Sequence, residues 1–238
     1  MRWSFGIITP GGAIDNVNNI IASIVEDAGD HEVEILVIGG NHKFDHAKHI
    51  PFDEDSGPAP GWFTRKKNII ALEAKYNNLC ILHDYLMLRP GWFDGFEKFD
   101  LDNPDWMAAT NQIFNKNGSE FRSWAAVFQD AYRDPIDDQK PPVHLGLGRK
   151  INPKINTWGR WQYYSGAYYV IKRHIMIRTP MDETLCQNQG EDISWSRSLY
   201  HQYGQEIFAW NPYSSIEFLK QKDHAGWESL PQIDFDYG

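Results

Sequence analysis

The chain begins by changing its hydrophobic period twice. "WSFGIIT" (3–9) is a short apolar run of strand character. "AIDNVNNIIASIVEDAG" (13–29) then repeats apolar residues at helical spacing through Ile14, Val17, Ile20, Ile21 and Ile24, and "EVEILVIGG" (32–40) returns to strand. Strand, helix and strand in this order form a β-α-β unit, which favours parallel strands joined by a right-handed crossover. Ligands on such sheets gather beyond the carboxyl ends of the strands. At those ends stand Thr9-Pro10-Gly11-Gly12 and Gly39-Gly40-Asn41, where glycine lets a ligand approach the main chain.

The segment 42–61 has no usable period and is rich in Pro, Asp and His, so it reads as mostly loop. "GWFTRKKNIIALEAKYNN" (61–78) is helical in pattern and opens on a basic cluster. It leads into "LCILHDYLMLRPGW" (79–92), the third or fourth strand, which ends at His83 and Asp84 among the other glycine-rich turns. A short helix near 91–99 follows, then two strands around an Asn-Gly turn in 106–128. Residues 129–160 are polar and carry Pro135, Pro141, Pro142 and Pro153, the composition of a lid or recognition loop. "WQYYSGAYYVIKRHIMI" (161–177) has strand character, "GEDISWSRSLYHQYG" (190–204) is a helix opening on acidic residues, and 206–224 reads as a closing strand pair. The expectation is one α/β domain over 1–238, with a mostly parallel central sheet flanked by helices and a small antiparallel element. Residues 1–100 would form a nucleotide-binding half, and 101–238 an acceptor-binding half.

Composition narrows the function classes. A net charge of −9 argues against general nucleic-acid binding, so a phosphate-bearing ligand must be held by a few local cations or a metal. Cys80 and Cys186 suggest neither a disulfide framework nor a thiolate metal site, which fits a reducing cytoplasm. The opening residues lack the pattern of a signal peptide, and no segment reaches the roughly 20 apolar residues of a membrane span. Peripheral membrane association stays open.

Four polar clusters stand out: His83-Asp84, Arg65-Lys66-Lys67-Asn68, Gly190-Glu191-Asp192, and Lys220-Gln221-Lys222-Asp223-His224. Singly, each has an ordinary explanation as a turn cap, a solvated face, a helix-dipole complement or a surface tail. Jointly they match what transfer from a sugar nucleotide requires. Developing charge on the leaving diphosphate must be stabilised, and a second carboxylate must take the acceptor's proton.

The layout resembles that of GT-A fold glycosyltransferases, and is most similar to the family 2 inverting enzymes. The matching pieces are "IITPGG" (7–12), "TRKKNIIALEAKYNNLCILHDYLMLRPGW" (64–92), and "YYSGAYYVIKRHIMI" (163–177) followed by "GEDISWS" (190–196). The resemblance implies a hexosyltransferase of carbohydrate biosynthesis that uses a nucleotide-diphosphate sugar, a glycan or other hydroxyl acceptor, and Mn2+ or Mg2+. It implies that Asp84 binds the metal, with His83 and His224 as further ligands, and that Asp192 is the base with Glu191 as its second or orienting partner. Lys67, Asn68, Lys222, Thr9, Pro10 and Gly11 would contact the donor. The family's acidic residue after the second strand is replaced here by Gly39-Gly40-Asn41, which implies a ribose or base contact that is either missing or displaced to Asp53 or Glu54. Tyr85 stands where a second acid is common. Trp158, Trp161 and Trp195 are the sugar-stacking candidates, and Ser165-Gly166 would admit an acceptor to the backbone. Two other readings remain: a nucleotidyltransferase, against which the absence of Lys or Arg from "TPGGAIDN" counts, and a non-catalytic carbohydrate-binding protein on the same scaffold.

Overall fold

The computed structural model describes residues 1–55, 62–123, 126–128, 142–144, 162–185 and 190–220. In chain order the elements are β1 (Arg2–Ile8), α1 (Ile14–Asp27), β2 (Glu32–Ile38), β3 (Lys48–Ile50), α2 (Phe63–Glu73), β4 (Asn78–His83), β5 (Leu86–Leu88), α3 (Trp92–Asp102) and β6 (Ala108–Phe114). They continue as β7 (Glu120–Ser123), β8 (Ala126–Phe128), β9 (Pro142–His144), β10 (Gln162–Tyr163), β11 (Tyr168–Lys172), α4 (Arg173–Arg178), α5 (Glu191–Tyr203) and β12 (Ala209–Phe218).

The main sheet has nine strands in the order β3-β2-β1-β4-β11-β6-β12-β5, with β7 alongside β6. β1 pairs in parallel with both β2 and β4, β2 with β3, and β6 with β12. β11 runs antiparallel between β4 and β6, and β5 and β7 are antiparallel to their neighbours. A second sheet of three strands, β10-β8-β9, is the small antiparallel element.

Alternation along the strands makes two cores. Trp3, Phe5 and Ile7 of β1 and Cys80 and Leu82 of β4 meet the apolar stripe Val17, Ile20, Ile21 and Ile24 of α1 and the aromatics of α3. On the other face Leu79 and Ile81 meet Ile70 and Ala71 of α2 and Trp195 and Leu199 of α5. Gly6 seats α2 against β1, since a Cβ there would lie 2.4 Å from Ile70 Cγ2.

Several local expectations need correcting. Residues 173–177 are helical because "RHIMIR" turns Ile175 and Met176 onto the second core, and Arg173 Nε donates to the carbonyl of Ala71 (2.8 Å). The closing strand pair is one strand, β12, irregular between Asn211 and Ser215, which pairs with β6 and then β5. The loop 42–61 contributes the edge strand β3. The Asn-Gly turn does join two antiparallel strands, β6 and β7, with Gly118 at φ +81°. The expected lid over 129–160 lies outside the described residues except for β9.

Candidate functional site

The carboxyl ends of β1, β2 and β4 lie side by side, and each closes on a turn. Gly11 (φ +100°) and Gly40 (φ +62°) bring two of these turns into contact, since a Cβ on Gly11 would sit 2.6 Å from Gly40 Cα. At Gly39 (φ +103°) a Cβ would lie 1.9 Å from the Thr9 carbonyl oxygen. These glycines therefore allow chain to approach chain.

Asp84 follows β4 and is pinned to the first turn. Its N–H donates to the Ile8 carbonyl (3.1 Å), and Thr9 Oγ1 donates to its Oδ2 (2.8 Å) while accepting the Gly11 N–H (2.9 Å). Burial raises the Asp84 carboxyl above the usual range, opposed by the Thr9 hydrogen bond and by the charges of Lys220 and Lys66. Lys66 is fully buried and donates to the Thr9 carbonyl (2.9 Å) and Glu54 Oε1 (2.5 Å). Burial lowers its ammonium pKa, and Glu54 works against that shift.

The second acidic pair reaches the same sheet edge through one turn. The His83 N–H donates to the Ala167 carbonyl (3.1 Å), and the neighbouring Gly166 N–H donates to Asp192 Oδ2 (3.0 Å). Ser196 Oγ accepts the Tyr164 N–H (3.0 Å), so α5 is fastened to this turn one helical turn beyond Asp192. Lys67 points into the same place. A Cβ on Gly166 would lie 3.0 Å from Lys67 Nζ, 3.3 Å from Glu191 Oε1 and 3.5 Å from Asp192 Cβ. The Lys67 ammonium is buried with no hydrogen-bond partner among the described residues, so what offsets its charge is the nearby carboxylates of Glu191 and Asp192. Burial lowers the Lys67 pKa, while burial and then Asp192 raise that of Glu191.

The structure thus brings Thr9, Gly11, Asp84, His83, Lys67, Glu191 and Asp192 to neighbouring turns. Asn68 serves elsewhere, because its amide clasps the Met181 backbone, donating to the carbonyl (2.9 Å) and accepting the N–H (2.9 Å). Asp53 is exposed and accepts the Asp55 N–H, whereas Glu54 meets Lys66 beneath the Gly39 turn. His83 packs its ring between Phe63 (4.9 Å) and Tyr85 (5.5 Å). Trp195 is a core residue, donating to the Thr179 carbonyl (2.7 Å) with its ring against Tyr169. Lys222, His224, Trp158 and Trp161 lie outside the described residues.

Sequence reasoning counted Lys66 in the basic cluster without giving it a role, whereas helical spacing marks its neighbour as inward: Lys67, Ile70, Ala71 and Ala74 form one i, i+3, i+4, i+7 stripe. One group of three metal-type ligands occurs among the described residues, His31, Asp94 and Glu97, within 4.8 Å of one another. It lies at the opposite end of the sheet, where β2 begins, and His31 Nδ1 is already 2.9 Å from the N-terminal amine.

No protein-family model and no curated protein matches the chain. Solved structures do. A crystal structure of GalNAc-T7 with UDP, GalNAc and Mn2+ aligns with a TM-score of 0.60 at 14% identity, over 98% of this chain and 46% of that one. The S. aureus TarS 1–349 complex with UDP-GlcNAc aligns with a TM-score of 0.57 at 12% identity, over 97% of this chain and 62% of that one. The architecture is therefore the GT-A glycosyltransferase fold, and the chain spans between 46% and 62% of the length of these neighbours.

Proposed function

We propose that this protein is an inverting glycosyltransferase that moves a hexosyl group from a nucleotide-diphosphate sugar to a hydroxyl acceptor such as a glycan. The observation that carries the reading is that the turn after β4, which bears Asp84, and the start of α5, which bears Asp192, are joined through Ala167 and Gly166. The GT-A fold, and the UDP and UDP-GlcNAc bound by its structural neighbours, support a uridine donor.

In this reading the nucleotide lies across the turns after β1, β2 and β4, and the acceptor approaches on the α5 side. Asp192 is the base: the Gly166 and Ile193 N–H groups hold its two oxygens (3.0 and 2.9 Å) and so fix the carboxylate before substrate arrives. It takes the acceptor hydroxyl proton as that oxygen attacks the anomeric carbon. The bond to the diphosphate oxygen breaks on the opposite face, its electron pair leaves with the phosphate, and the configuration inverts. Behind this centre the buried Lys67 and the half-buried Glu191 both pack against Gly166.

A divalent ion at this site would be held by the hard carboxylate oxygens of Asp84, with His83 and His224 as further candidate ligands. Tyr85 stands where a second acid would, so this turn offers a single carboxylate. When bound, Mn2+ or Mg2+ would offset charge on the leaving diphosphate. The domain reading follows the same division, with donor contacts in 1–100, acceptor contacts in 101–238, and a single domain working in the cytoplasm. Among the described residues no helix is long and apolar enough to cross a membrane.

A panel of nucleotide sugars tests the proposal by thermal shift and by release of nucleoside diphosphate. One uridine sugar should raise the melting temperature and be turned over with inversion at the anomeric carbon. Absence of both binding and turnover across the panel would remove the transferase reading.

A further inference from the structure

We propose that Lys220 is a built-in counter-charge for the donor diphosphate, so that nucleoside diphosphate binding survives removal of divalent ions. The inference rests on the transferase reading above and adds to it a charge supplied by the chain itself.

Lys220 is placed by the sheet. Phe218, the last residue of β12, pairs with Leu86 of β5, and the next N–H, that of Leu219, donates to the Tyr85 carbonyl (2.9 Å). This delivers Lys220 to the Asp84-Tyr85 turn, where its Nζ sits 3.9 Å from the centroid of the Tyr85 ring. The ring is backed by Phe218, 6.1 Å away and tilted by 23°, so the cation rests on a packed platform. Its charge is felt at the Asp84 carboxylate.

Among the described residues, the other cations near this site are buried. Lys66 is buried and spends its ammonium on Thr9 and Glu54. Lys67 is buried beside Glu191 at Gly166. Lys220 is exposed and can turn its donors to an arriving anion. Local charge points the same way. Two carboxylates on such a turn would leave a double negative charge for a divalent ion to neutralise. Here Tyr85 takes the second place and carries Lys220 over its ring, so the turn holds one carboxylate and one ammonium. The turn is already balanced, and an incoming diphosphate meets a cation whether or not a metal accompanies it.

Calorimetry with UDP, GDP, ADP and CDP, each in Mn2+ and in EDTA, tests this on the wild-type chain, Lys220→Ala and Lys220→Arg. The wild type should bind one nucleotide in both conditions, with affinities within about tenfold of each other. Lys220→Ala should lose tenfold or more in EDTA and much less in Mn2+, and Lys220→Arg should restore the EDTA affinity. Wild-type binding seen only with Mn2+, or an equal loss for Lys220→Ala in both conditions, would overturn the proposal. No binding of any nucleotide even with Mn2+ would instead overturn the donor reading on which it rests.

Discussion

Glu191 and Thr9 show how single side chains set this site. Burial raises the Glu191 carboxyl above its usual value near 4.5, so its folded form holds a proton that the unfolded chain releases. A group shifted this way contributes stability below its unfolded pKa, and the contribution is lost as pH rises through the folded pKa. The melting temperature of Glu191→Gln relative to wild type should therefore climb from about pH 4.5 through the raised value and then level off. A difference that stays constant between about pH 4 and pH 7 would contradict that assignment. Thr9 joins Asp84 Oδ2 to the Gly11 N–H through one hydroxyl. Thr9→Val keeps the shape but leaves both groups unserved, and should cost about 1–3 kcal/mol in urea unfolding and weaken nucleotide binding. Thr9→Ser should recover most of both. At this scale the sequence announced residue types better than their roles. Asp84, Lys67 and Asp192 were legible as candidates. Asn68 looked the same on paper but clasps Met181, because one residue along a helix, a rotation of about 100°, decides whether a polar side chain meets a ligand or a neighbouring loop.

Among the elements, glycine turns do the positioning, and two of them separate folding from function. Gly39 has φ +103°, and a Cβ there meets the Thr9 carbonyl oxygen, a backbone atom that cannot step aside. Gly39→Ala should cost at least about 2 kcal/mol in urea unfolding. At Gly166 the nearest neighbour is the Lys67 ammonium at the end of a flexible chain, and no positive φ is required. Gly166→Ala should thus melt near wild type while displacing the Lys67–Glu191 pair and lowering turnover. Equal destabilisation by the two substitutions would contradict this account of the turns. The long elements were readable because burial follows their period: α1 keeps Val17, Ile20, Ile21 and Ile24 inside. Short ones were not. α4 occupies only Arg173–Arg178 and β5 only Leu86–Leu88, too few residues for a period to register, and tertiary contacts decide their form.

The whole molecule places both acids at one sheet edge by interleaving its two halves. β11, from the second half, inserts between β4 and β6, and β12 pairs back onto β5 from the first. The α/β class was legible from the opening alternation of periods. The strand order was not, because an antiparallel insertion is fixed by contacts remote in sequence. Yet that insertion brings Gly166, and with it Asp192, beside the end of β4. The most direct test is to measure nucleotide affinity and sugar transfer side by side in Asp192→Asn and Asp84→Asn. Asp192→Asn should lower transfer by roughly 100-fold or more with nucleotide affinity nearly unchanged, and Asp84→Asn should weaken nucleotide binding in Mn2+. An Asp192→Asn protein that transfers sugar at the wild-type rate would contradict the claim that the two acids serve one reacting carbon.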